Sequence, residues 1–275
     1  MLSTRTFLSD EGMEIADVAC SHGRGRGATD EQSAGHALVF VRRGCFVRSA
    51  DGVERLLDPT MAYCISPGEH QRFDHPHDHG DDCTFLGVDV ELAASLWGGD
   101  PTLPLVPLRT SPAIDLEHRL LLSACRNGGD RHELLEGAIV LSARTLEQSD
   151  PSRVAAGRPA TASAHRALAD GVRELLAANV ERSLPDLACA LAVSAHHLSR
   201  IFRSDVGHSI SRHRMRLRTR NALERLAGGE RNLARVALDA GFADQSHLCR
   251  VVRRELGHTP SALRAALARQ PSGED

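Results

Sequence analysis

Between residues 37 and 90 the apolar positions come in short runs: "ALVFVRRGCFVRS", "VERLL", "MAYCIS", "HQRF" and "CTFLGVDV". Gly, Pro and Asp separate them, as in the turn "ADG" after the first run. Many short strands with such turns predict a sandwich or small barrel. From about Pro112 the period lengthens. "IDLEHRLLLSAC" and "HELLEGAIVLSARTLEQ" carry Leu, Ile and Ala at helical spacing, with "RNGGD" as the loop between them. The stripe Leu134, Leu135, Ala138, Leu141 and Leu146 either covers the core of the β domain or forms a dimer interface, and the pattern alone leaves both open. Residues 149–164, "SDPSRVAAGRPATASA", have linker composition and no sustained apolar period.

Everything after the linker reads as helix and contains a repeat. "HLSRIFRSDVGHS" at 197–209 recurs as "HLCRVVRRELGHT" at 247–259, an offset of 50 residues. A repeat of this kind is one supersecondary unit used twice. In each copy a short apolar helix comes first. Ala188 and Ala192 in one copy, and Ala237 and Gly241 in the other, allow close helix approach and a tight turn. Leu198, Ile201 and Phe202, matched by Leu248, Val251 and Val252, make an inward stripe. Ser194 and Asp244 are the expected N-caps, and Gly207 and Gly257 the expected stops. The unit is a helix-turn-helix, whose second helix enters the major groove. The outward residues at its N-terminal end are His196, Ser199 and Arg200 in the first copy. In the second they are Gln245, Ser246, His247 and Arg250. Arginine grips guanine and glutamine reads adenine through paired hydrogen bonds. Arg203, Arg253 and Arg254 lie further along, where phosphate is the expected partner.

Charge supports this division. All 33 basic residues are arginine, and the overall net charge of −3 hides an asymmetry. Residues 160–275 hold 18 arginines against 12 acids, whereas residues 1–159 hold 15 against 24. A basic C-terminal part suits a polyanion, and an acidic N-terminal part does not. Seven scattered cysteines are not a disulfide framework. The N-terminus is not a signal peptide, and no stretch approaches the roughly 20 apolar residues of a membrane helix. A cytoplasmic chain with reduced thiols and no membrane association is expected.

Residues 166–268 resemble the DNA-binding domain of the AraC/XylS family of bacterial transcription regulators. The resemblance is carried by residues that include Leu187, Ala188, Ser194, Leu198, Phe202, Gly207, Leu217, Ala222, Leu226, Phe242, Gln245, Leu248, Gly257, Thr259 and Pro260. It implies two helix-turn-helix units joined by a long central helix, here about Ile210 to Ala227. It departs at "SRHRMRLR", where His213 and Arg214 replace an aromatic and an aliphatic residue. Family members with an added N-terminal domain often carry a cupin-like sensor barrel and a dimerising segment. "LLDPTMAYCISPGEH" resembles the second cupin motif, with Pro67, Gly68 and His70, while "EQSAGHALVFVRRG" keeps Glu31, His36 and Gly44 but lacks the paired H-x-H. The resemblance therefore implies Glu31, His36 and His70 as effector-pocket residues and argues against an enzyme.

"FDHPHDHGDDC", residues 73–83, raises a separate question. In an extended strand His75, His77 and His79 point the same way. With Cys83, and Cys20 or Cys64 from elsewhere, they are candidate ligands for zinc or another transition metal. Pro76 and "DHGDD" instead have the composition of a hairpin loop. Cys20 and Cys83 are also candidates for a thiol switch.

The expected architecture is α+β and multidomain. It comprises a cupin-like β-barrel at 1–110, a helical dimerisation or packing segment at 111–148, the linker, and an all-α domain with two helix-turn-helix units at 165–270. The expected function is sequence-specific binding of promoter or operator DNA under control of a small-molecule or metal effector, as a homodimer, with RNA polymerase as a further partner. The rivals are a cupin metalloenzyme, or a metal- or thiol-sensing protein with an attached helical domain.

Overall fold

The computed structural model describes residues 2–10, 12–21, 25–26, 31–78, 80–97, 103–148 and 159–267. The chain opens with β1 (Leu2–Asp10) and β2 (Met13–Cys20), followed by the short β3 (Gly25–Arg26) and β4 (Glu31–Gln32). The predicted runs become β5 (His36–Arg43), β6 (Phe46–Ala50), β7 (Val53–Leu57), β8 (Met61–Ile65), β9 (His70–His75) and β10 (Asp81–Val88). Helix α1 (Val90–Trp97) and the short β11 (Leu108–Arg109) complete the β region. One sheet runs β1-β2-β10-β5-β8-β11; the other runs β3-β9-β6-β7, with β4 also on β9. The pairing of β1 with β2, antiparallel from Leu2–Cys20 to Asp10–Met13, extends the first sheet beyond the predicted strands.

Strand β5 shows why the apolar run there is nearly continuous. Ala37, Val39 and Val41 face the space between the sheets, with Phe46, Leu57, Tyr63 and Ile65. Leu38 and Phe40 face the opposite way and join Leu86, Val88, Ile114, Leu121 and Leu141. A strand buried on both faces loses its polar alternation. The second layer comes from α2 (Pro112–Arg126) and α3 (Arg131–Glu147). Leu134, Leu135, Ala138 and Leu141 are buried in that layer and Leu146 packs against it, so the α3 stripe covers the β domain of its own chain.

The remaining helices are α4 (Pro159–Ala178), α5 (Leu184–Ala190), α6 (Ala195–Val206), α7 (Ile210–Ala227), α8 (Leu233–Asp239), α9 (Gln245–Leu256) and α10 (Pro260–Leu267). Helix α4 begins inside the stretch read as linker, because Ala160, Ala162 and Ala164 extend the helix backwards; residues 149–158 lie outside the described residues. One core joins α4, α5, α6 and the start of α7. A second joins the rest of α7 with α8, α9 and α10, and includes Leu116 of α2. No described helix is long and apolar enough to cross a membrane.

The central helix α7 lies against the β domain through buried charges. Arg42 of β5 donates to Glu224 at 3.2 Å, and Arg119 of α2 donates to the other Glu224 oxygen. Burial alone would raise the Glu224 pKa, but Arg119 and Arg42 hold it below the usual range. Arg220 donates to Thr110 Oγ1 at 2.9 Å and lies 3.5 Å from Asp115. Nearer α4, Arg173 donates to Asp58 at 2.6 Å and to the Leu56 carbonyl at 3.0 Å. His213, the residue where the family resemblance departs, is wholly buried on α7 between the Phe202 ring and Asp58, 3.8 Å away. Burial lowers its pKa to about 3 despite Asp58, so at neutral pH it is uncharged and Arg173 is the ionic partner of Asp58.

This gives an acid-labile fold. His118 is pushed well below its ordinary value by burial and then by Arg119, and His208 to about 4 by burial and then by Arg216. Such histidines bind their proton more tightly unfolded, so stability is lost as pH falls below about 6.5, at about 1.4 kcal/mol per pH unit for each. Melting temperature will therefore drop steeply between pH 7 and 5 (thermal unfolding by circular dichroism). His118→Gln and His213→Gln will each flatten that slope, and unchanged slopes in both would count against it.

Candidate nucleic-acid interface and enclosed cavity

The two repeated helices are built alike. The Ser194 hydroxyl accepts from His197 N–H at 3.2 Å, and Asp244 accepts from His247 N–H at 2.7 Å. Each helix then runs 12 residues and stops at a left-handed glycine, Gly207 at φ 81° or Gly257 at φ 74°. Inside, Leu198, Ile201, Phe202 and Val206 are buried in one copy, and Leu248, Val251 and Val252 in the other. The tight turn before α6 places Ala192 at φ 52°, and the matching turn before α9 places Gly241 at φ 82°. Between the two units α7 spans Ile210–Ala227, as the resemblance implied, with Ser209 as its N-cap.

The outward faces carry most of the residues named for DNA. His196, Arg200 and Arg203 are exposed on α6, and Gln245, Ser246, Arg250, Arg253 and Arg254 are exposed on α9. Ser199 is half-buried. So is His247, whose ring packs edge-on against Phe242 with centroids 5.3 Å apart. Arg200 reaches His197 Nδ1 at 3.3 Å, and Arg254 pairs with Glu255 at 3.1 Å. Among the described residues Arg203, Arg250 and Arg253 have no ion pair.

The helix-turn-helix family profile matches residues 187–266, from the middle of α5 through nearly all of α10. These residues form a helix-turn-helix domain. A search of curated proteins finds no significant match. Among solved structures, unsaturated-fatty-acid-bound ToxT from Vibrio cholerae aligns over 94% of this chain and 96% of its own, at 10% identity and a TM-score of 0.39. A cupin superfamily protein from Desulfitobacterium hafniense aligns over 32% of this chain and 78% of its own, at 11% identity and a TM-score of 0.29. The cupin domain of an XRE family transcriptional regulator from Enterobacter cloacae covers 32% and 95%, at 14% identity and a TM-score of 0.28. Likenesses this distant carry no functional argument. The helix-turn-helix domain thus stands on its own helices and caps.

Away from the helix-turn-helix domain, the two sheets flank a partly open cavity of about 330 Å³. Val18, Val39, Phe46, Tyr63, Phe73 and Phe85 make it largely apolar, and Gln71, Cys20, His75, Asp81 and Cys83 give it polar groups. The residues named from the cupin resemblance sit elsewhere. His70 is exposed on β9, and its neighbour Gln71 faces the cavity instead. His36 is buried outside the cavity lining, opposite Val88, and the Glu31 side chain lies outside the described residues.

The histidine-rich stretch divides. Strand β9 ends at His75, and the backbone bends over Pro76–Asp78, so the expected alternation stops there. His75 points inward, with Nε2 2.5 Å from Asp81 Oδ1. His77 turns to Glu174 of α4 at 3.5 Å, and His79 lies outside the described residues. Cys83 is buried and its thiol donates to Asp81 at 3.4 Å. Burial, and then Asp81, push that thiol well above its ordinary pKa. Cys20 stands directly opposite Asp81 in the β2–β10 ladder, and Cys83 opposite Val18, so the two cysteines are two residues out of register. Cys64 belongs to the opposite layer, packed among the helices. Asp81 carries no signal of its own among the four aspartates of 73–83. Gln71 and the interdomain charges Arg42, Asp58, Arg119, Arg173, Arg220 and Glu224 had no local signal.

Proposed function

We propose that the chain is a sequence-specific transcription regulator that binds double-stranded operator DNA and responds to a small effector held between its two sheets. The observation that carries this reading is the pair of similarly capped helices with outward arginines in a helix-turn-helix domain that resembles the AraC type. Arg200, Gln245 and Arg250 would read base edges, and Arg203, Arg253 and Arg254 would grip phosphates. His247 acts less directly, since its ring is committed to Phe242.

Strand β10 offers the link between cavity and DNA-binding domain. Asp81, Cys83 and Phe85 line the cavity, whereas Thr84 faces α2 and lies 2.8 Å from His118 Nε2. The Cys83 carbonyl accepts from Arg42 at 3.4 Å, and Arg42 holds Glu224 of the central helix. A ligand that displaces β10 would bias how α7 is held, and through it how the two reading helices are presented. Two copies on adjacent half-sites would add avidity.

The test is binding of the purified chain to duplexes selected from a random pool. Selection will yield a consensus, and affinity will fall with salt at a log–log slope of roughly −0.9 per phosphate contacted. Affinity that is independent of salt and of sequence would remove the reading.

A further inference from the structure

Cys20, His75 and Asp81 each offer a ligand atom, and these atoms lie within 4.8 Å of one another. They come from three strands and both sheets. Cys20 ends β2, Asp81 begins β10 directly opposite it, and His75 ends β9 in the other sheet. The close approach is built into the backbone. Gly80 presses against the Cys20 carbonyl so tightly that a Cβ there would lie 1.7 Å from that oxygen. All three groups also line the cavity, so an ion held by them would keep a face open to its interior. Cys83 lines the same end and already bonds to Asp81.

We propose that Cys20, His75 and Asp81 bind one zinc-class divalent cation, with a fourth position open to the cavity. The proposal rests on the reading of the cavity as the sensor site and names a ligand for it. A thiolate, an imidazole and a carboxylate form a borderline-soft set that suits zinc and its spectroscopic substitute cobalt(II), and disfavours magnesium or calcium. Coordination requires the Cys20 thiolate, so uptake releases its proton. The ion would tie the two sheets together at one end of the cavity, next to the Cys83 carbonyl that supports Arg42. The outer histidine, His77, takes no part, since it faces Glu174.

The experiment titrates the untagged, chelator-treated full chain with cobalt(II), followed by displacement with zinc. Uptake of one equivalent is expected, with a thiolate-to-cobalt charge-transfer band and the intense visible bands of a four-coordinate ion. Cys20→Ser, checked for folding by circular dichroism, will abolish the charge-transfer band. Asp81→Asn will weaken zinc binding at least about tenfold, and His77→Ala will leave both signals unchanged. No uptake by the folded wild-type chain, an unchanged band in folded Cys20→Ser, or loss of the site in His77→Ala would each overturn the proposal. The selected duplex is added to the same samples. Metal uptake without DNA binding would keep this site and remove the regulator reading. DNA binding without uptake would remove the site and keep the regulator.

Discussion

Asp58→Ala will lower stability by about 3–5 kcal/mol, the usual cost of leaving one member of a buried ion pair without its partner. Asp58 is fully buried, accepts from Arg173 at 2.6 Å, and also takes the Thr60 amide at 2.7 Å and hydroxyl at 2.6 Å. Burial alone would raise its pKa, yet Arg173 and then the Thr60 bonds hold it far below the usual carboxylate value. Alanine removes all of these acceptors and takes from Arg173 its fully buried carboxylate, leaving it, among the described residues, the more exposed Asp170, the Leu56 carbonyl and the Met61 sulfur. Asp58→Asn will cost less, since an amide oxygen still accepts from Thr60. Adding Arg173→Met to Asp58→Ala will recover part of the loss, because an apolar side chain needs no partner there. Urea unfolding of the four proteins reads this directly. A loss below about 1 kcal/mol in Asp58→Ala would mean that water reaches the site and that the two domains are not held there.

The same contact shows where sequence reading stops. The repeated helices are legible because everything that defines them is local: a cap, a stripe, a stopping glycine and a repeat that displays each twice. Strand β5 was legible as a strand, and its burial on both faces explains the run after the fact. Arg173 and Asp58 stand 115 positions apart, and Arg119 and Glu224 stand 105 apart. In a chain with 33 arginines, nothing local separates a buried one from a solvated one. The histidines failed for a different reason. Period-two alternation holds only while the strand lasts, and β9 ends at His75. The inward group after the bend is Asp81, brought opposite Cys20 by the β2–β10 register. The α3 stripe was open between two uses, and the three-dimensional packing assigned it to its own domain.

Arg200→Ala combined with Arg250→Ala will weaken binding to the selected duplex by about 2–6 kcal/mol, or roughly thirtyfold to beyond ten-thousandfold. Each arginine is exposed on the outward face of its helix, one per helix-turn-helix unit. Each stands six residues beyond its N-cap, Ser194 or Asp244, so the repeat gives them the same place within their units. A bidentate contact to a base is worth about 1–3 kcal/mol, and two contacts in separate units add because they share no partners. Neither side chain supports the fold: Leu198, Ile201, Leu248 and Val251 fill the cores beneath them. Melting temperature will therefore stay within the error of the parent, which separates lost recognition from lost structure. The single variants should relax specificity at different positions of the consensus, each in one half of the site. Arg253→Ala is the contrast, expected to weaken all duplexes alike and to reduce the salt slope by about one contact. If Arg200→Ala left affinity and consensus untouched while Arg250→Ala removed both, only the second unit would be reading bases, and the first would serve to position it on the backbone.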